Sequence, residues 1–163
     1  MSTIETIKNK IISPDQLDYY LTYWRFKQLK TVFTNGCFDI IHRGHIEYLV
    51  KARALGDLLI IGLNSDISVL KNKGQGRPIQ DQESRAVILA SMTFVDAIIF
   101  FDEYTPYELI EKIKPDILVK GGDYIPEDIA GYDIVKSYGG TIQTIEYIKG
   151  FSTSDIVKKL INL

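Results

Sequence analysis

Apolar and polar positions alternate along this chain in blocks of two kinds. The first kind is a short, nearly continuous apolar run: "TVFT" at 31–34, "DLLIIGLNS" at 57–65, "VDAIIFF" at 95–101, "DILVKGG" at 116–122 and "GTIQTIEYI" at 140–148. Runs of this length, rich in β-branched and aromatic residues, read as strands buried on both faces. The second kind repeats apolar residues every three or four positions and reads as helix. "HIEYLVKARALG" at 45–56 is one, with Ile46, Leu49 and Val50 turned inward. "DQESRAVILASM" at 81–92, "TPYELIEKIK" at 105–114, "EDIAGYDIVKSYG" at 127–139 and "STSDIVKKLINL" at 152–163 are the others.

Five buried strands alternating with helices predict an α/β fold: one domain over 31–163, a mostly parallel five-stranded sheet with helices on both faces. Residues 1–30 read as an N-terminal helical extension. Ser13 can cap it, Pro14 suits a first helical position, and Asp15 favours the positive helix end. Leu17, Tyr20, Leu21 and Trp24 then form an apolar stripe at helical spacing, read as packing onto the main domain. In parallel sheets ligands sit beyond the carboxyl ends of the strands, near the point where strand order reverses. The segments after Gly36, Leu63, Phe101 and Gly121 are therefore where chemistry is expected.

Composition narrows the class. The chain has 163 residues, 45% apolar and 25% charged, with a formal net charge of −2. No global basic field points to nucleic acid, so an anion site must be a local cluster of Lys and Arg. No apolar run approaches the roughly 20 residues needed to span a bilayer. "MSTIETIKNKII" lacks the apolar stretch of a signal peptide. A single cysteine excludes an intrachain disulfide and fits a reducing compartment, so a cytoplasmic protein is expected.

That cysteine and both histidines fall within twelve positions, "TNGCFDIIHRGH" at 34–45. Three chemistries compete for them. His42 and His45 with Asp39 can hold a metal, although no second cysteine and no HExxH pattern accompany them. Cys37 with a histidine can form a nucleophile pair. A phosphate cradle accounts for more of the residues. Gly36 and Gly44 clear space for a bulky anion, and a helix starting near Gly44 aims free N–H groups at it. Two imidazoles can donate to phosphate oxygens and stabilise charge at an attacked phosphorus.

Further along, "LNSDISVLKNKGQGRP" at 63–78 places Lys71, Lys73 and Arg77 in a glycine-rich stretch. A flexible cationic loop there can close over a triphosphate. "LVKGGDY" at 118–124 ends a strand with Lys120, Gly121 and Asp123. Its bland reading is a strand-to-helix turn. "GFSTSD" at 150–155 fits a capping box through Ser152 and Asp155.

T-N-G-C-F-D-x-x-H-x-G-H, following a strand and opening a helix, resembles the signature of the nucleotidyltransferase superfamily of cytidylyltransferases and related adenylyltransferases. The resemblance covers about residues 25 to 160 and implies a Rossmann-like fold. Its core is His42, Arg43, Gly44 and His45. It implies His42, His45 and Lys73 as catalytic residues, with Lys71 as the competing loop lysine. It implies nucleotide contacts from Thr34, Asn35, Gly36, Phe38 and Gly44, and from Asn64, Arg85, Lys120 and Gly121. The family's G-x-S-T-T pattern is matched by Gly150, Ser152 and Thr153, with Ser154 in place of the last threonine. The sugar phosphate is assigned to Asp39, Asp66, Arg77 and Asp123. Many cytidylyltransferases carry an arginine shortly before that glycine; here "EYIKG" offers Lys149.

"TNGCFD", "LNSD", "KGQGRP", "VKGGDY", "EDIAG" and "GFSTSD" together are similar to sugar-1-phosphate adenylyltransferases that make ADP-heptose for surface glycans. The implied partners are ATP and a sugar 1-phosphate, with Mg²⁺ bound mainly through the triphosphate and no protein metal ligands. A separate sugar kinase and a homodimer complete the expectation. Glycerol-3-phosphate cytidylyltransferase, using CTP, is the alternative within the family. A non-catalytic nucleotide-binding protein or a metal-dependent hydrolase are the alternatives outside it.

Overall fold

The computed structural model describes residues 2–122, 124–146, 150, 151, 153, 156, 157 and 159. Five parallel strands form one sheet in the order β3-β2-β1-β4-β5. They are β1 (Thr31–Gly36), β2 (Leu58–Asn64), β3 (Ala97–Phe101), β4 (Ile117–Gly121) and β5 (Thr141–Ile145). β2 to β5 each lie inside an apolar run picked out by the sequence pattern, and β1 runs two residues past its run at 31–34. The helices joining them are α3 (Arg43–Arg53), α4 (Asp66–Lys73), α5 (Gln82–Ala90), α6 (Tyr107–Ile113) and α7 (Tyr132–Ser137). Two apolar clusters, one per face, sandwich the sheet: Leu49, Leu59, Ile61, Leu89 and Val119 on one side, and Phe33, Ile60, Ile99, Ile110 and Leu118 on the other.

The chain enters through α1 (Thr3–Lys8) and α2 (Pro14–Phe26). Pro14 occupies the first helical turn, and the Ser13 N–H donates to Gln16 Oε1 at 3.2 Å. Leu17, Leu21 and Trp24 are buried in the same cluster as Phe33 and Ile60, so this segment belongs to the core. Between the two helices the backbone extends. Ile12 N–H donates to Ile98 O and Ile98 N–H to Lys10 O, both at 2.8 Å, which adds a short bridge to the outer edge of β3.

Three helical expectations change. Val50 faces solvent, and Tyr48 and Ala52 are buried with Leu49 instead, because α3 starts at Arg43 and sets a different face against the sheet. Lys71 and Lys73 lie in the last turn of α4, which runs on through a stretch expected as loop. The helix expected over 127–139 is interrupted: Gly131, at φ 88°, separates a short 3₁₀ turn at Pro126–Asp128 from α7. "STSDIVKKLINL" falls mostly outside the described residues.

The strand order reverses between β1 and β4. β1 pairs with β2 over six positions, from Thr31 to Gly36, yet with β4 only at Val32 and Phe33. Past that point the ladder stops, and the side chain of Tyr48 from α3 takes its place. The Tyr48 hydroxyl lies 2.6 Å from the Thr34 hydroxyl and donates to Val119 O at 3.3 Å. A cleft opens above it, as expected at the switch point of a parallel sheet.

Candidate active site

The cleft is a cavity of about 320 Å³ walled by Asn35, Gly36, Phe38 and Asp39 after β1, His45 and Tyr48 from α3, and Lys73 from α4. Lys120, Gly121 and Tyr124 close the β4 side, and Thr153 and Cys37 also reach it. Residues from four separated segments thus converge where topology predicts a ligand.

The backbone of the first loop explains how the histidines are held. Phe38 adopts φ 45° and folds its ring back over Gly36, where a Cβ would lie 3.0 Å from Phe38 Cε2. Only glycine leaves room for that fold. The buried Phe38 ring then meets His45 edge-on at 5.3 Å between centroids. His42 is the N-cap residue of α3, with extended backbone, and its ring stacks on His45 at 3.8 Å and 25°. Gly44 lies between them because a Cβ there would approach the His42 ring at 3.1 Å and Phe151 Cβ at 3.2 Å. The HxGH spacing is therefore a packing requirement for two stacked imidazoles.

The surroundings of both rings favour the neutral imidazole. Burial lowers the His42 pKa. Burial, the His42 ring and the Lys73 ammonium together bring His45 down to about 4. Among the described residues, Nδ1 of each ring is buried without a hydrogen-bond partner. An unpaired buried polar atom costs about 1–3 kcal/mol. An anion that accepts a hydrogen bond from these rings favours their protonated form and helps to offset that cost. The first turn of α3 adds its free N–H groups and positive dipole at the same place.

Lys120 donates to Asn35 Oδ1 at 3.2 Å, and burial lowers its pKa, with the Cys37 side chain opposing the shift. Burial raises the Cys37 pKa even though Lys73, Arg85 and Lys120 pull it down. A protonated thiol is a poor nucleophile, so the geometry does not favour a Cys–His pair. Among the described residues, no group of three His, Cys, Asp or Glu side chains gathers to hold a metal ion.

Several residues expected to touch ligand also hold partners within the protein. Thr34 is buried against Tyr48. Asn64 is buried and donates to Ser68 Oγ at 2.9 Å. Lys71 points away from the cavity and donates to Asp102 O at 3.3 Å, which leaves Lys73 as the lysine of this helix on the cavity wall. Arg85 is fully buried and donates to Cys37 O at 2.6 Å, Asp66 Oδ1 at 2.8 Å and Gln80 O at 3.0 Å. Asp39 accepts from Arg77 Nη1 at 2.7 Å, Ile79 N at 2.8 Å and Gln80 N at 3.1 Å. Burial alone would raise its pKa, but these donors hold it below the usual carboxylate range. The carboxylates and guanidinia of Asp39, Asp66, Arg77 and Arg85 are thus spent on one another and on loop backbone. Asp123, Lys149 and Ser152 lie outside the described residues; Thr153 is described, with its hydroxyl 3.5 Å from Ile40 O.

The sequence pattern did not single out Tyr48 or Tyr124. Tyr48 follows His45 by three positions on the same helix face, which is the signal that could have found it. Tyr124 carries no such signal; it reaches the rim because β4 ends there, with Lys120 Nζ 5.9 Å from its ring centroid.

Known proteins share this chain's pattern. The model of the cytidylyltransferase-like family matches residues 33–159. The bifunctional protein HldE of Wolinella succinogenes is 51% identical over 153 residues, 94% of this chain and 31% of that protein. HldE of Geobacter metallireducens is 52% identical over 132 residues, 81% of this chain and 27% of that one. The chain spans about a third of the length of these curated relatives. Among solved structures, the lipopolysaccharide core biosynthesis protein of Thermoplasma volcanium superposes with a TM-score of 0.59 at 29% identity, covering 76% of this chain and 99% of that one. A pantoate–β-alanine ligase of Francisella tularensis, solved with β,γ-ATP and β-alanine, also gives 0.59, at 14% identity over 94% of this chain and 78% of that one; this likeness is one of fold. By the match over most of its length, the chain belongs to the cytidylyltransferase-like family.

Proposed function

We propose that the chain is a nucleotidyltransferase joining a sugar 1-phosphate, in the first place a heptose 1-phosphate, to the α-phosphate of ATP. The products are an ADP-sugar for lipopolysaccharide core synthesis and pyrophosphate. The observation that carries this reading is the stacked His42–His45 pair, both Nδ1 atoms without a partner among the described residues, with His45 lining a switch-point cleft shared with Lys73 and Lys120 and His42 stacked behind it. The similarity to proteins named bifunctional HldE, and to one titled a lipopolysaccharide core biosynthesis protein, supports the substrate class.

An oxygen of the sugar phosphate attacks the α-phosphorus. The bond from that phosphorus to the bridging oxygen breaks, and pyrophosphate leaves in line with the electron pair. The nucleophile is already an anion, so no strong base is needed. The difficulty is bringing anions together, and positioning plus charge stabilisation lower the barrier. His42 and His45 donate to phosphate oxygens as charge builds, with the α3 N-terminus behind them. Lys73 and Lys120 neutralise the triphosphate from the two sides of the cleft. Mg²⁺ would enter on the nucleotide and share its charge. The donor set fits that role, since the cavity-lining carboxylate, Asp39, is committed to Arg77, Ile79 and Gln80.

A sugar kinase would supply the acceptor, and a homodimer in a cytoplasmic setting completes the reading. No helix among the described residues is long and apolar enough to cross a membrane. The test is pyrophosphate release with Mg²⁺ and ATP, CTP or GTP, each paired with heptose 1-phosphate or glycerol 3-phosphate. Release from ATP with the heptose phosphate is the expected result. Release confined to CTP with glycerol 3-phosphate would replace the substrates and keep the mechanism. Silence from folded protein in every pairing would overturn the reading.

A further inference from the structure

Arg85, Asp39, Asp66, Arg77 and Gln80 form one connected unit. Arg85, on α5, is fully buried, and its guanidinium reaches three segments at once. Nη1 donates to Cys37 O at 2.6 Å, in the loop that leads to His42. Nη2 donates to Asp66 Oδ1 at 2.8 Å, in the first turn of α4, the helix whose last turn carries Lys73. Nε donates to Gln80 O at 3.0 Å, in the segment that leaves Lys73. Asp39, 2% exposed, ties the same two loops a second time through Arg77, Ile79 N and Gln80 N. The Gln80 side chain returns the tie by donating to Asp39 O at 2.7 Å. The histidine loop and the Lys73 helix are thus cross-linked by seven hydrogen bonds made by Arg85, Asp39 and Gln80.

A fully buried arginine is costly unless its donors are matched. Here the match is to backbone carbonyls of two loops and to a half-exposed carboxylate at the start of α4. A shape-matched apolar side chain would serve stability as well. It would not fix where the two loops stand relative to each other.

We infer that Arg85 and Asp39 form a positioning clamp that sets the distance between the imidazole pair and the Lys73 ammonium. This rests on the transferase reading given above. Arg85, fully buried, acts through the groups it holds, and Asp39 joins the two loops at the cavity wall. Transfer needs the phosphates bridged between His42, His45 and Lys73 in one geometry, and misplacement of about 1 Å can cost on the order of 100-fold in rate.

The test is a double-mutant cycle on the full chain with Arg85→Lys, Lys73→Ala and the pair, each checked for cooperative melting. Lysine keeps the charge and the bond to one acceptor but cannot span three. R85K is expected to lower kcat roughly tenfold with KM for ATP changed less than about threefold. In the K73A background R85K should add less than about twofold, because the group it positions is gone. Asp66→Asn, which breaks the clamp at its exposed end without emptying core volume, keeps the test available should R85K fold poorly, and should show the same loss and the same dependence on Lys73. An activity-free reading comes from the imidazole ¹⁵N resonances of His42 and His45 in unliganded protein, expected to shift in R85K and D66N. Losses that multiply independently, or unmoved imidazole resonances in folded variants, would overturn the clamp. Wild-type protein that releases no pyrophosphate with any pairing would instead overturn the transferase reading, whatever the resonances do.

Discussion

Replacing Gly44 by alanine separates what the histidine pair does from what it costs to hold. Gly44 lies in the first turn of α3 with ordinary helical backbone, so an alanine meets no conformational strain there. Its Cβ would, however, lie 3.1 Å from Cε1 and Nδ1 of His42 and 3.2 Å from Phe151 Cβ. Carbon contacts relax to about 3.5–4.0 Å, so the His42 ring must give way by roughly half an ångström, off its 3.8 Å stack on His45. The backbone change itself favours the helix, by up to about 1 kcal/mol. The expected variant is therefore as stable as the parent within about 1 kcal/mol, yet slower. At about 100-fold per ångström of misplacement, half an ångström corresponds to roughly tenfold in kcat. Thermal melting and steady-state pyrophosphate release on the same preparation read both quantities. A variant with unchanged kcat would refute the claim that imidazole placement limits transfer. One that melts far lower would show instead that the contact cannot relax.

Three further outcomes follow from the same geometry. The unfolded chain protonates its histidines near 6.5, whereas His45 stays neutral in the fold down to about 4. The unfolded state thus binds more protons in that window, and stability should fall as pH drops through it; chemical denaturation across the window, repeated on His45→Asn, should show a flatter slope in the variant. Triphosphate binding should raise both imidazole pKa values, so titration calorimetry near pH 6 should show proton uptake that scales with buffer ionisation enthalpy; buffer-independent heats would contradict anion contact with the rings. Tyr48→Phe removes the hydroxyl that links Thr34 to Val119 O; a loss of about 1 kcal/mol in stability is expected from denaturant unfolding, and an unchanged midpoint would show that the bridge does not brace the cleft.

What the chain disclosed of itself follows from where the forces are local. The strands were legible because a parallel strand buried on both faces must be apolar throughout, as in "LIIGL" of β2. The α2 stripe of Leu17, Leu21 and Trp24 was legible for the same reason, since burial imprints helical spacing. Val50 was misread because the phase of α3 is set by His42 capping its start, a matter of tertiary placement. The bridge of Ile12 to Ile98 joins residues 86 positions apart through backbone atoms and leaves no mark in side-chain pattern. At the site, glycines and histidines at fixed spacing pointed to an anion cradle, and the structure gives that spacing its steric cause. Charged residues were the hardest to read. Arg85, Asp39, Asp66 and Arg77 look alike in sequence whether they face a phosphate or one another, and only the fold pairs them.

On the proposed mechanism the stacked imidazoles stabilise the transferring phosphate rather than hold the fold or capture the nucleotide. The most direct test is kcat of His42→Ala and His45→Ala at saturating Mg·ATP and sugar 1-phosphate, with ATP affinity measured on the same samples by calorimetry. A loss of about 100-fold or more in kcat is expected for each, by analogy with removal of one oxyanion donor, with ATP affinity within about tenfold of the parent. Undiminished turnover in either variant, with the fold intact, would contradict it.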